Sequence, residues 1–100
     1  MIVYNVTVKV NTEVADEWVN WMKSEHMADV MGTGLFIDCR LCRLLEQDET
    51  EGQTYSAQYT MASLDLYNSY IDKHALQMRE KSFKLFGGKF AAFRTVMEIV

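Results

Sequence analysis

The stretch TEVADEWVNWMKSEHMADVMGTGLF, residues 12–36, decides the fold because it carries an amphipathic helix between two strand-like segments. Its apolar side chains recur with the 3.6-residue period of an α-helix, and they are Val14, Trp18, Val19, Met22 and Val30. Asn11 or Thr12 can cap the start of this helix. Gly32 and Gly34 favour its end. The sequence therefore predicts a helix from Thr12 to Met31.

Strand patterns lie on both sides of this helix. Residues 2–10 alternate between apolar and polar side chains, which is typical of a half-buried strand. Residues 36–46 and 53–61 predict two further strands, which the polar, acidic loop 47–52 joins into an antiparallel hairpin. Residues 90–100 predict a fourth strand at the end of the chain.

A second helix is predicted between the third and fourth strands, where Ser63 caps it and residues 87–88, Gly-Gly, stop it. A straight helix over residues 64–86 would be about 34 Å long. This exceeds what the strands need, so we expect a bend or break near residues 72–75 that splits the helix. The order βαββαβ predicts one α+β domain over residues 1–100, a ferredoxin-like four-stranded antiparallel sheet with the helices on one face.

Composition excludes several functional classes. The chain has 100 residues and a net charge of −4, without the clustered Lys and Arg that a nucleic-acid-binding surface requires. No apolar run is long enough to span a bilayer, so we expect no membrane insertion. Because the strand pattern begins at Ile2, we expect no signal peptide and a cytoplasmic location.

Cys39 and Cys42 have the C-x-x-C spacing of some redox and metal sites. Residues three apart in a strand point to opposite faces of the sheet, so a disulfide or a shared metal is difficult to build. We therefore expect buried, reduced thiols that act as small apolar residues.

The strands carry apolar residues on both faces, although the helices can cover only one. In the last strand, Phe90 and Val96 alternate with Phe93 and Met97. An open antiparallel sheet normally shows water a polar face. We therefore expect a second copy to cover the outer face in a two-fold homodimer; the alternative is a monomer with scattered exposed apolar residues. The polar residues expected within the interface are Arg40, Arg43, Gln58, Arg94 and Glu98.

Three polar residues stand in the apolar sector of the first helix when it is drawn with a step of about 100° per residue. They are Glu25, His26 and Asp29. Burying such groups costs free energy unless they are partnered, hydrated or used. A carboxylate near an imidazole raises the imidazole pKa and fixes its tautomer, which suits a general base. His26 and Asp29 are therefore the candidate catalytic residues, with a structural ion pair as the alternative.

The side chains around these groups predict a pocket for a small, flat, apolar or aromatic ligand. Trp18 and Met22 would form its wall, and Glu25 is a further candidate ligand contact. Aromatic residues that could extend this surface are Tyr4, Tyr59, Tyr67 and Phe93. Plain core packing is the alternative for each of them.

The pattern Trp18-x-x-Trp21-Met22-x-x-x-His26, followed by Gly34-Leu35-Phe36, resembles the first-helix signature of the dimeric α/β barrel superfamily. More narrowly, the chain resembles an uncharacterised bacterial family, mostly from Bacteroidetes, known as a domain of unknown function; the matching segments are residues 1–8, 42–46 and 86–90. The resemblance implies a dimer with a pocket between helices and sheet. In several relatives the His of the first helix, here His26, lines that pocket. Many relatives have proline where this chain has Ala28.

The superfamily includes monooxygenases of antibiotic biosynthesis and haem degradation, muconolactone isomerases and polyketide cyclases. The resemblance implies a small-molecule-binding protein or a cofactor-independent enzyme; a non-catalytic dimerisation or regulatory module is the alternative. Haem binding is a further alternative, because haem-degrading relatives use a His of the second helix, here His74, and an Asn of the first strand, here Asn5. Since Asn5 shares a face with Thr7 and Lys9, we expect it to point away from the helices, and we expect no cofactor.

Overall fold

A computed structural model describes residues 1–100, which form two helices packed on one face of a four-stranded sheet. The strands are β1 (Ile2–Asn11), β2 (Asp38–Arg43), β3 (Gly52–Met61) and β4 (Phe90–Glu98). They pair in the order β2-β3-β1-β4, and every neighbouring pair is antiparallel. The predicted ferredoxin-like α+β fold is thereby confirmed.

The inner face of the sheet, which lies against the helices, holds the core. The strand register places Tyr4 of β1 between Tyr59 of β3 and Val96 of β4. Because side chains alternate along a strand, every second residue from Tyr4 shares this face. Most of these residues in β1 and β3 are buried, namely Ile2, Tyr4, Val8, Val10, Tyr55, Ala57, Tyr59 and Met61.

The first helix, α1, spans residues 12–31 and contains a turn of π-helix. Its segments are a 3₁₀ turn (Thr12–Val14), α-helix (Ala15–Trp21), π-helix (Met22–His26) and α-helix again (Met27–Met31). The backbone N–H of Met27 donates to the carbonyl of Met22, five residues earlier. A π-turn of this kind holds one residue more than an α-helical turn. The buried stripe of α1 is therefore Trp18, Met22, Met27 and Val30.

The π-turn moves two carboxylates away from the interior. With a constant step of about 100°, Glu25 and Asp29 would share the face of Trp18. The five-residue step from Met22 to Met27 rotates them towards solvent instead, and both are exposed. The prediction that Glu25 and Asp29 face inward is therefore wrong.

The second helix, α2, spans residues 64–86 without interruption. It consists of α-helix (Leu64–Tyr70), π-helix (Ile71–Ala75) and α-helix (Leu76–Phe86). The predicted irregularity near residues 72–75 is present, and it is a second π-turn that divides the helix into two α-helical segments without ending it. Tyr70 and Ala75, five residues apart, are both buried, so this turn also resets which side chains face the sheet.

The ends of several elements differ from the sequence prediction. The hydroxyl of Ser63 accepts a hydrogen bond from the backbone N–H of Leu66 at 3.3 Å, so this predicted cap forms. Neither Asn11 nor Thr12 provides a side-chain cap for α1, where a 3₁₀ turn begins the helix instead. The second strand begins at Asp38, and this leaves Phe36 free to turn into the core.

A chain of side-chain hydrogen bonds crosses the outer face of the sheet. Arg40 Nε donates to Gln58 Oε1 at 2.9 Å, and Gln58 Nε2 donates to Ser56 Oγ at 3.2 Å. Ser56 Oγ donates to Asn5 Oδ1 at 2.6 Å, and Asn5 Nδ2 donates to Thr95 Oγ1 at 3.0 Å. The centre of the outer face is therefore polar and its groups satisfy one another.

Apolar residues on the outer face concentrate on the edge strand β4. Phe93 is 63% exposed and Met97 is 44% exposed. The prediction of an apolar outer face thus holds for this strip and fails for the central strands. Three polar residues that were predicted for an outer interface lie on the inner face instead, so that prediction is wrong for them. They are Arg43, which pairs with Tyr55, Arg94, which pairs with Val6, and Glu98, which pairs with Ile2.

The two cysteines lie on opposite faces of β2, as the spacing predicts. Cys39 pairs with Tyr59 on the inner side and is half-buried. Cys42 pairs with Ser56 on the outer side and is exposed, so the prediction that it is buried is wrong.

Neither helix is both long enough and apolar enough to cross a membrane.

Candidate functional site

A cavity of about 270 Å³ lies between the two helices and the inner face of the sheet. Aromatic and aliphatic side chains supply most of its lining. From the strands these include Tyr4, Val6, Val8, Ala57, Tyr59 and Ala92. From the helices they include Trp18, Met22, Val30, Tyr70, Met78 and Phe83. Such a lining favours a flat, largely apolar molecule.

His26 brings an imidazole to this cavity. It ends the π-turn of α1, and its ring stacks on Trp21 with a centroid distance of 4.4 Å. Its Nδ1 atom is buried and has no hydrogen-bond partner. Buried polar atoms in folded proteins are nearly always paired, so the unpaired Nδ1 atom of a ring that lines a cavity is unusual.

Burial keeps the imidazole of His26 neutral. Removal from water lowers the pKa of His26 from 6.5 to about 4, an effect that Asp29 opposes and Lys81 reinforces. At neutral pH the ring therefore has one nitrogen that donates a hydrogen bond and one that accepts. It can accept a proton from a bound molecule.

Three tyrosines form the aromatic wall of the cavity. The ring of Tyr4 lies 5.5 Å from that of Tyr70 and 6.1 Å from that of Tyr59, measured between centroids. Burial raises the pKa of both Tyr59 and Tyr70 above the usual value of 10. Their hydroxyls therefore stay protonated at neutral pH and can donate hydrogen bonds.

Sequence reasoning missed the polar residues on the β4 and α2 side of the cavity. Arg94 of β4 and Arg79 and Ser82 of α2 line it. Arg94 lies opposite Val6 on the inner face, and its Nε atom is buried without a partner. The signal was present in the sequence, since strand alternation places Arg94 among the apolar residues Phe90 and Val96.

Several predicted site residues lie outside the cavity. Glu25 and Asp29 are exposed, and Asp29 forms a surface ion pair with Lys81 at 3.4 Å. Tyr67 packs against Tyr4 with centroids 5.7 Å apart, but it does not line the cavity. Phe93 points to the outer face. The structure thus brings together Tyr4, Trp18, Met22, His26 and Tyr59, and it leaves out Glu25, Asp29, Tyr67 and Phe93.

The two residues that would suit haem do not converge. Asn5 is bonded to Ser56 and Thr95 on the outer face of the sheet, as predicted from the strand pattern. His74 lies in α2 on the other side of the sheet, where its ring stacks on Tyr70 at 6.1 Å. Since the sheet separates Asn5 from His74, these residues do not fit a shared haem site.

A family model described as "Domain of unknown function (DUF4286)" matches residues 1–100. No curated protein matches the sequence.

Solved structures of other proteins share the fold. A dimeric ferredoxin-like protein from an uncultured marine organism has 14% identity and a TM-score of 0.69, with 100% of this chain and 95% of that chain covered. HapK from Hahella chejuensis has 10% identity and a TM-score of 0.72, with coverage of 100% and 93%. A variant of SnoaB, a cofactor-independent oxygenase from Streptomyces nogalater, has 12% identity and a TM-score of 0.61, with coverage of 98% and 92%. At such low identity the similarity shows the fold alone.

Proposed function

The chain belongs to the DUF4286 family over residues 1–100, and from this premise we propose that its cavity binds a flat, largely apolar small molecule and that His26 exchanges a proton or hydrogen bond with it. One observation carries the proposal. The imidazole of His26 lines a largely apolar cavity of about 270 Å³, and its buried Nδ1 atom has no partner in the protein.

The chemistry follows from the protonation state of His26. A neutral imidazole accepts a proton, and with a pKa of about 4 it is a weak base. It therefore suits a substrate whose C–H or O–H is already acidic, such as an activated phenol or an enolisable carbonyl compound. The anion formed would lie beside the new imidazolium, and this opposite charge would raise the pKa of His26. Isomerisation, cyclisation or cofactor-independent oxygenation of such a substrate fits this step, and SnoaB, which shares the fold, is an oxygenase of that kind.

A purely structural role for His26 would require a partner for the imidazole in a filled interior. Asp29 is instead exposed and paired with Lys81, and the space beside His26 is open. These contacts favour a ligand site over a non-catalytic module.

We further propose that the chain self-associates through the outer face of its sheet. Phe93 and Met97 give this face an apolar strip, and the hydrogen-bonded chain from Arg40 to Thr95 leaves its central polar groups satisfied. The marine ferredoxin-like protein that shares the fold is described as dimeric.

A thermal-shift screen with aromatic acids, amides and phenols tests the ligand proposal. A compound at one hundred times its Kd stabilises a folded protein by about 2.7 kcal/mol. We expect His26→Ala to weaken binding of active compounds about fivefold, since one hydrogen bond contributes ~1 kcal/mol. His74→Ala is the matched control and should respond like the wild type. Equal responses in the wild type and His26→Ala would remove His26 from the binding site.

A further inference from the structure

The structure assigns a charge to the ligand: we infer that the cavity binds an aromatic carboxylate, whose carboxyl group is held by Arg79 and Arg94 while its ring lies on the tyrosine wall. This inference rests on the proposed function, because it specifies the ligand of the same cavity. It goes further because it commits to one chemical class.

The first support is the charge balance of the lining. Arg79 and Arg94 are the charged side chains of the cavity, and no Asp or Glu lines it. The chain as a whole carries a net charge of −4, so acidic residues are plentiful elsewhere. The salt bridges of the protein join Arg43 to Glu49 and two lysines to surface acids, so none of them involves Arg79 or Arg94. Both guanidinium groups therefore lack an anionic partner.

The second support is the burial of Arg94. Its Nε atom is inaccessible to water and makes no hydrogen bond. A buried donor on a charged group costs free energy until an acceptor reaches it, and a carboxylate is the acceptor that matches the planar guanidinium fork. Arg94 therefore has hydrogen-bonding capacity that the protein itself does not use.

The third support is that the two arginines line the same cavity as Tyr70. Burial and the neighbouring Tyr4 raise the pKa of Tyr70, whereas Arg79 and Arg94 both lower it. Two cations on different elements, α2 and β4, therefore act on one hydroxyl of the aromatic wall. A carboxylate beside Tyr70 would lie in the cavity that Arg79 and Arg94 also line, with its aromatic ring against Tyr4 and Tyr59.

A carboxylate fits this cavity better than a phosphate. Phosphate sites commonly use the backbone N–H groups of a helix N-terminus. The lining starts at Trp18 in α1 and at Tyr70 in α2, so the first turn of neither helix reaches the cavity. The remaining lining is largely apolar, which suits an aromatic body with a single charge.

Matched probes separate charge from shape. We would titrate the full chain with 2-naphthoate and with its neutral analogue 2-naphthamide, and follow binding by calorimetry. The wild type should bind 2-naphthoate at least about tenfold more tightly than 2-naphthamide, because hydrogen bonds to charged groups are stronger than those between neutral groups. Arg79→Gln and Arg94→Gln should each weaken binding of 2-naphthoate more than binding of 2-naphthamide and so reduce this preference, and circular dichroism shows whether the variants are folded. Arg43→Gln, which removes an arginine outside the cavity, should keep the preference.

The possible failures are distinguishable. Three results would overturn the inference that the ligand is a carboxylate, while leaving the cavity as a ligand site. They are equal affinity of the two probes for the wild type, a preference for 2-naphthoate that survives both arginine substitutions, and tighter binding of 2-naphthyl phosphate. Ala92→Phe, which fills part of the cavity, should weaken both naphthalene probes. If neither probe binds the wild type, or if Ala92→Phe binds both unchanged, the inference and the proposed function fall together.

Discussion

At the scale of single residues, His26 makes the stability of the protein depend on pH. The unfolded imidazole takes up a proton near pH 6.5, and the folded one near pH 4, because burial disfavours its charge. Between these values the unfolded state binds more protons, so stability falls as the pH falls through this window. A difference of this size corresponds to about 3 kcal/mol, at ~1.4 kcal/mol per pH unit.

The wild type should lose stability between pH 7 and pH 4, and we expect His26→Gln to remove about 3 kcal/mol of that loss in the free energy of unfolding. Urea unfolding at several pH values measures this, and His74→Gln serves as the control that keeps the loss. Parallel stability profiles for His26→Gln and the wild type would show that burial does not perturb the imidazole.

Residue patterns in the sequence predicted part of the site. Strand alternation predicted that Asn5 points away from the helices, and the structure agrees. Alternation shows which residues of a strand share a face, but it did not decide whether the face of Tyr4 and Tyr59 is the buried one. By alternation Arg94 shares a face with Phe90 and Val96, yet we expected it among the few polar residues of an apolar dimer interface, on the wrong side of the sheet. Its partner Arg79 comes from α2, and only the folded arrangement brings the two together.

At the scale of elements, the two π-turns decide which helix residues face the sheet. A helical wheel assumes one constant period, so beyond Met22 it correctly placed His26 and Val30 inside but was wrong for Glu25 and Asp29. The wheel therefore placed Asp29 inside, and it had no means of assigning Met27 to the buried stripe. In α2 the irregularity that the sequence predicted near residues 72–75 is a π-turn of the same kind.

If the turn in α1 holds one extra residue, the chain should tolerate the loss of one. Deleting Ser24, which is exposed, puts Met22 and Met27 four apart, the spacing of one α-helical face. We expect this variant to unfold cooperatively with little loss of stability. Inserting one alanine after Ser24 should instead rotate Met27 and Val30 out of the core and cost about 3 kcal/mol or more.

Chemical denaturation monitored by circular dichroism measures both variants. Equal destabilisation by the deletion and by the insertion would show that the π-turn has another origin.

At the scale of the whole molecule, the inner face of the sheet lines the cavity, and the outer face is the one through which we propose that the chain self-associates. The sequence predicted the fold because the order βαββαβ and the register of half-buried strands leave few arrangements. It overestimated the apolar character of the outer face, since the polar centre there depends on cross-strand pairs such as Asn5 with Ser56. The cytoplasmic location stays a prediction.

We expect Phe93→Glu to weaken self-association at least about tenfold, because it buries a charge in the apolar strip. Sedimentation velocity over a range of concentrations measures this. Leu76→Glu is the matched control, because Leu76 is 70% exposed on α2 and lies away from the sheet face. A wild-type chain that stays monomeric at high concentration, or equal effects of the two substitutions, would contradict association through the outer face.

The most direct test of the ligand site is ¹⁵N NMR of the imidazole nitrogens, since the chain has only two histidines, His26 and His74. The protein would be measured alone and then saturated with whichever naphthalene probe binds more tightly. We predict that the resonances of His26 shift on binding, reporting a new hydrogen bond or a proton, and that those of His74 stay nearly fixed. Saturation of the protein without any change at His26 would contradict the claim that this imidazole serves a bound molecule.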